Sequence, residues 1–150
     1  LRLRNILVKG TINFFNENDF SLKDEELFQN WLFRLAESEL KNVGEINYIF
    51  CDDEYLLEIN QNYLDHDTYT DIISFDNTVG NSLNGDIFIS TERVEENAAE
   101  YNVDFLQELK RVIAHGMLHL CGYKDKSESE SELMRRKEDE KIEMFHVEHS

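Results

Sequence analysis

Four short segments of the chain alternate apolar and polar residues, which is the period expected of a half-buried β-strand. The pattern predicts strands over residues 11–15, 46–50, 70–76 and 84–90. Glycine and asparagine fill much of the interval 80–85, and they favour a hairpin-type turn between the last two strands. The chain should therefore form a small sheet of about four strands.

Longer segments repeat apolar residues at helical spacing and predict helices over 22–42, 53–64, 91–100, 104–121 and 129–145. Ser21, with Asp24 three residues on, is expected to cap the first helix, and Gly122 is expected to end the fourth. Strands interleaved with helices predict a single α+β domain over 1–150, a small mixed sheet packed with about five helices. The ends, 1–10 and 146–150, are expected to be disordered.

The helical spacing also identifies side chains expected in the core. On four of the five predicted helices they are Leu27, Trp31, Leu32, Leu35, Leu40, Leu56, Ile59, Tyr63, Leu106, Leu109, Val112, Ile113, Leu118, Leu120, Leu133, Met134, Ile142 and Phe145. The last four form only a thin apolar stripe among mixed charges.

The composition is that of a folded and strongly acidic protein. Its 150 residues include 32 acidic and 15 basic side chains, which give a formal net charge of -17. This charge argues against diffuse binding to nucleic acid or an anionic membrane, but it leaves room for a local basic site. Cys51 and Cys121 are too few for a disulfide framework and fit a reducing cytoplasm. No apolar run approaches the length of a membrane span, about 20 residues, and we recognise no signal peptide.

The candidate chemistry lies in the fourth predicted helix, where His115 and His119 are one turn apart. Both imidazoles project from the same helix face and can chelate a divalent metal. Gly122 lets the chain turn back, so that Asp125 can supply a third ligand; this set, with a fourth position left to water, is typical of catalytic zinc. The alternative is that both histidines are surface or satisfied core residues. Cys121, a softer donor, is expected to be buried and to point away.

The spacing is also similar to that of the metzincin zinc proteases. In those enzymes a glutamate follows the first histidine and acts as the general base. Here Gly116 occupies that position and has no side chain to accept a proton. The protease interpretation therefore lacks its base and becomes the alternative.

The run from His115 to Tyr123 resembles the motif of the YbeY endoribonuclease family, His-Gly-x-Leu-His-Leu-x-Gly-Tyr-Asp-His. Segments 59–63, 70–75 and 85–90 are similar to further family motifs, in the same order. The resemblance implies a metal-dependent hydrolase of single-stranded RNA that acts in ribosomal RNA maturation and ribosome quality control in the cytoplasm. The implied cofactor is one zinc or other divalent ion. The implied partners are ribosomal RNA and ribosomal proteins or a ribosome-associated GTPase.

The chain departs from the family pattern in two places. Lys124 and Asp125 stand where the family has aspartate and its third histidine ligand, so a carboxylate would complete the site. Leu64 and His66 stand where it has arginine and often lysine, taken to serve RNA. A bidentate phosphate donor is thereby lost. His66 is a candidate to contact a phosphate or transfer a proton, and its alternative is an exposed loop residue.

Arg111 is a candidate to replace the missing positive charge. It lies one turn before His115 on the same helix face. With Lys124 and Lys126 it predicts a small basic rim near the metal. The alternative for Arg111 is an exposed ion pair with Glu108, which would contribute little.

These residues suggest metal-assisted hydrolysis of an RNA phosphodiester, with His66 and Arg111 as the catalytic side chains. The sequence leaves several candidates for the general base: a hydroxide on the metal, His66, Asp71 or Asp86. Ser74 is a candidate to line the cleft. An alternative is a ribosome-associated binding factor with a structural metal, which the missing arginine favours. The acidic body also suits a partner protein with a basic surface.

Overall fold

A computed structural model describes residues 10–65 and 68–148, with side chains through residue 146. In this part of the chain it contains four strands and five helices, which confirms the predicted α+β class. In chain order they are β1 (Thr11–Asn16), α1 (Glu25–Ser38), β2 (Asn42–Cys51), α2 (Asp53–Leu64), β3 (Ile72–Asp76), β4 (Ser82–Ser90), α3 (Thr91–Tyr101), α4 (Phe105–Leu120) and α5 (Glu128–Glu148).

The four strands form one mixed sheet in the order β1-β2-β4-β3. Strands β1, β2 and β4 run parallel, and β3 pairs with β4 in the antiparallel sense, as the hairpin signal predicted. Strand β3 is thus an edge strand. Its register places Ser74 opposite Ile87 of β4.

Alternation along the strands divides the core between the two faces of the sheet. Side chains such as Ile46, Tyr48 and Ile87 face a large core formed with α1, α4 and α5. On the other face α2 covers a smaller cluster that includes Cys51 and Leu56. Helix α4 lies inside the larger layer, and nine of its sixteen residues are buried.

Gly116 allows α4 to lie close to the sheet. A Cβ at this position would come within 3.0 Å of Ile87 and 3.1 Å of Ile72. The missing side chain therefore serves helix packing, beside the histidine that it follows. The described helices include none that is both long and apolar enough to cross a membrane.

Several boundary and core predictions were wrong. Helix α1 begins at Glu25 after Asp24, which has left-handed backbone and no side-chain cap bond, so Ser21 is not the cap. Leu40 lies beyond the helix end with φ of 58° and is exposed. Periodicity alone placed three further exposed residues in the core, because it does not show where a buried stripe ends: Tyr63, Leu106 and Leu133. Helix α5 continues through Glu148, beyond its predicted end, and residues 1–9 and 149–150 lie outside the described part.

Candidate metal centre and its cleft

Local sequence explains why α4 ends beside a turn that returns to it. Asp104 caps the helix by accepting a hydrogen bond from the backbone N–H of Gln107 at 2.8 Å. At the other end Gly122 has φ of 108°, a backbone conformation that suits glycine. The backbone N–H of Tyr123 then donates to the carbonyl of Leu118 at 3.1 Å. This reversal brings the next residues back along the helix.

The turn brings Asp125 against both histidines. Its Oδ2 atom lies 3.2 Å from Nε2 of His115 and 3.5 Å from Nε2 of His119. One ligand atom from each residue falls within 4.8 Å of the others. His115 and His119 are partly buried, and Asp125 borders solvent. The three sequence-predicted metal ligands therefore lie together at one end of α4.

The remaining imidazole nitrogens show that this donor set fits a divalent metal. Nδ1 of His119 lies 2.9 Å from the backbone carbonyl oxygen of Tyr123, which can only accept, so Nδ1 carries the proton. Nδ1 of His115 lies 2.7 Å from a carboxylate oxygen of Glu138. Both rings thus present Nε2 toward Asp125. Two imidazole nitrogens and a carboxylate oxygen are donors that zinc accepts in proteins.

Glu138 is the residue that the sequence interpretation missed. Its side chain on α5 is only 7% exposed, yet it is a carboxylate. Burial by itself would lower the pKa of His115. The hydrogen bond to Glu138 and the negative charges of Glu138, Asp125 and Asp71 together outweigh burial, so the pKa lies above its ordinary value. A signal was present: Glu138 falls four residues after Met134 and four before Ile142, on the apolar stripe of α5.

Arg111 lies beside the metal centre, as its position on α4 predicted, but with different partners. Its guanidinium donates to Glu138 at 2.9 Å and to Asp139 at 2.7 Å. The ion pair proposed with Glu108 is replaced by these two contacts to α5. Burial opposes the charge of Arg111, but the two carboxylates outweigh it and raise the pKa of the guanidinium.

A cleft of about 830 Å³ opens over this centre. Its walls include Asp71 and Ser74 from the β3 side and Leu64 at the end of α2. Burial raises the pKa of Asp71, although the neighbouring His115 opposes the change. His66 and Asp67 lie outside the described residues.

The predicted basic rim is only partly as expected. Lys126 lines the cleft together with Arg111, whereas Lys124 is not among the lining residues. Arg135 of α5, which the sequence interpretation did not single out, also lines it. Arg135 and Arg136 are adjacent on a helix of mixed charge, and no pattern in the sequence shows which of them lines a cleft.

Two other candidates lie away from the cleft. Asp86 points to the opposite face of the sheet from α4, where its carboxylate accepts a hydrogen bond from Asn47 at 3.0 Å. That position argues against Asp86 as the base. Cys121 is absent from the ligand cluster found in the described residues, as predicted. It packs against the large core but is only partly buried, less than expected.

Comparison with known proteins supports the resemblance. The family model described as Endoribonuclease YbeY matches residues 12–146. The Endoribonuclease YbeY of Christiangramia forsetii is 66% identical over 93% of this chain and 98% of its own length. That of Flavobacterium johnsoniae is 67% identical over 91% and 99%. The solution structure of TM1509 from Thermotoga maritima superposes with a TM-score of 0.64 at 29% identity, covering 92% of this chain and 91% of that one. The chain belongs to the YbeY endoribonuclease family.

Proposed function

We propose that this chain is a metal-dependent endoribonuclease that hydrolyses single-stranded RNA in ribosomal RNA maturation and ribosome quality control in the cytoplasm. The observation that carries the proposal is the meeting of two imidazole Nε2 atoms and the Asp125 carboxylate at an open cleft. Family membership supplies the reaction class.

We assign one zinc ion to His115, His119 and Asp125. A zinc ion bound there supplies a Lewis acid for the phosphoryl group and lowers the pKa of water toward about 7. The hydrogen bonds made by Nδ1 of His115 and of His119 support this assignment, because they leave Nε2 of each ring available to the metal. The carboxylate in place of a third imidazole also suits other divalent ions.

The chain supplies charge and proton transfer around the metal. Arg111 offsets negative charge that develops on the phosphoryl oxygens, and its place in the cleft one turn from His115 supports this role. His66 is assigned to proton transfer or phosphate contact. In support, Leu64 and Thr68, which flank its segment of the chain, both line the cleft.

The RNA backbone follows the side of the cleft that α5 provides. Arg135 of α5 and Lys126 of the turn before it line the cleft, whereas Leu64 at the end of α2 offers it no charge. Phosphate contacts made by lysine and arginine provide most of the sequence-independent affinity for RNA. The body of the protein, with its net charge of -17, suits the basic surfaces of ribosomal proteins, or of a ribosome-associated GTPase, as further partners.

The test compares wild-type protein with His119→Ala on a single-stranded RNA, with and without a chelator. Metal content is measured on the same samples, and an unstructured peptide is the parallel substrate. We expect RNA cleavage that follows bound metal and disappears in the variant. Bound metal without RNA cleavage would favour the binding-factor alternative. Cleavage of the peptide instead of the RNA would favour the protease alternative.

A further inference from the structure

Glu138 connects the metal centre to a helix that contributes none of its ligands. One carboxylate oxygen lies 2.7 Å from Nδ1 of His115, and the other accepts from Arg111 at 2.9 Å. We propose that Glu138 is a positioning residue, which fixes the ring and tautomer of His115 so that Nε2 faces the metal. The inference rests on the proposed metal site.

The chemistry of imidazole explains why this contact matters. A neutral histidine carries one ring proton, and whichever nitrogen holds it cannot bind a metal. A carboxylate only accepts hydrogen bonds, so Glu138 requires the proton on Nδ1 of His115. The lone pair is then on Nε2, the atom that lies 3.2 Å from Asp125.

The two histidines are held in different ways. Nδ1 of His119 donates to a backbone carbonyl, that of Tyr123, in the turn that also carries Asp125. Nδ1 of His115 depends instead on a side chain from α5. Metal affinity is therefore coupled, through His115, to the packing of α5 against α4.

Arg111 is the ion-pair partner of Glu138 in its buried position. An isolated buried carboxylate is costly, and a guanidinium at 2.9 Å offsets that cost. Arg111 is also a pure donor, so it competes for any acceptor atom at position 138. In Glu138→Gln the single amide oxygen would face Arg111, and the amide N–H₂ would face His115. That arrangement favours the tautomer that cannot bind the metal through Nε2.

The neighbouring residue provides a matched control. Asp139 also binds Arg111, at 2.7 Å, but its side chain is 60% exposed and it has no contact with His115. Glu138→Gln and Asp139→Asn each remove one negative charge next to Arg111. Only the first changes the partner of a metal ligand.

The experiment measures the zinc affinity of the metal-free full-length protein by competition with a chromophoric chelator. We expect Glu138→Gln to bind zinc about 10- to 100-fold more weakly than wild type, and Asp139→Asn to stay within about twofold. Thermal unfolding of the metal-free variants checks the fold. Glu138→Asp keeps the charge but withdraws it from His115 by one methylene. If the glutamine variant fails to fold, this variant provides the test, and we expect it too to bind zinc more weakly than wild type.

Two contrary results are distinguishable. If a folded Glu138→Gln or Glu138→Asp protein binds zinc as tightly as wild type, the proposed role of Glu138 is wrong. The same holds if Asp139→Asn loses as much zinc affinity as Glu138→Gln. Either result leaves the proposed metal site standing. A wild-type protein that binds no zinc overturns the proposed metal site as well.

Discussion

Helix α5 takes part in two groups of ion pairs that differ in where they lie relative to the cleft. The site cluster consists of Arg111, Glu138, Asp139 and His115, and all of these except Asp139 line the cleft. The clasp cluster consists of Glu39, Lys137, Lys141 and Tyr123, and it joins α5 to the end of α1. Both pair carboxylates with cations over distances below about 3.2 Å.

The two clusters differ in whether their side chains reach the candidate metal centre. In the clasp cluster Lys141 is 1% exposed, and Glu39 accepts from Lys141, Lys137 and Tyr123. None of the four residues lines the cleft. In the site cluster one carboxylate oxygen lies against His115, a proposed metal ligand. We therefore expect the clasp cluster to stabilise the fold and the site cluster to orient a ligand, so that changes to the two clusters separate stability from metal binding.

Breaking the clasp cluster should have the largest effect on stability. Glu39→Ala leaves Lys141 buried with only exposed Glu140 as its carboxylate partner, which should lower the free energy of unfolding by about 3 kcal/mol. Urea denaturation measures the loss, and zinc titration of the folded variant should match wild type. Unchanged stability, or loss of zinc affinity in folded protein, would contradict the division between the clusters.

Acid should weaken the clasp cluster through Glu39. Burial alone would raise the pKa of Glu39, but the hydrogen bonds from Lys141, Tyr123 and Lys137 outweigh burial and lower it. A folded-state pKa below the unfolded one adds stability above the unfolded pKa, and this stability is lost as pH falls through the folded pKa. Stability should therefore fall below about pH 4. The free energy of unfolding should fall less steeply with acid in Glu39→Gln than in wild type. Urea denaturation at a series of pH values measures both, and equal slopes against pH would contradict the role of Glu39.

On the cleft side, a smaller effect is expected from Arg135→Gln. Loss of one phosphate contact should weaken RNA binding several-fold and reduce the slope of log affinity against log salt by about 0.7. Arg136→Gln is the control, since Arg136 is exposed on the same helix and does not line the cleft. Equal effects of the two variants would show that only net charge matters.

Much of the candidate centre was predictable because its three proposed ligands lie within eleven consecutive residues. His115 and His119 share a helix face, and Gly122 signals the reversal that returns Asp125 to them. Helical spacing and one glycine are local properties, and a single sequence carries them.

What the sequence did not predict depends on contacts between distant segments. Glu138 and Arg135 line the cleft only because α5 packs on α4. Glu138 is 23 residues from His115 in the sequence, so local spacing does not connect the two. Asp86 was a candidate because its strand motif is similar to the family's, but the pleat directs it to the other face of the sheet. Periodicity predicts which stripe of a helix is buried, and it does not say which partner buries it.

The central claim is that Asp125 completes a site for one metal ion with the two histidines of α4. The most direct test titrates zinc into metal-free wild type, Asp125→Ala and Lys124→Ala, with equilibrium dialysis to measure the zinc bound per chain. We expect one zinc per chain for wild type and Lys124→Ala, and loss of stoichiometric binding for Asp125→Ala with the fold retained. Wild-type affinity in Asp125→Ala, or a wild-type protein that takes up no zinc, would contradict the account.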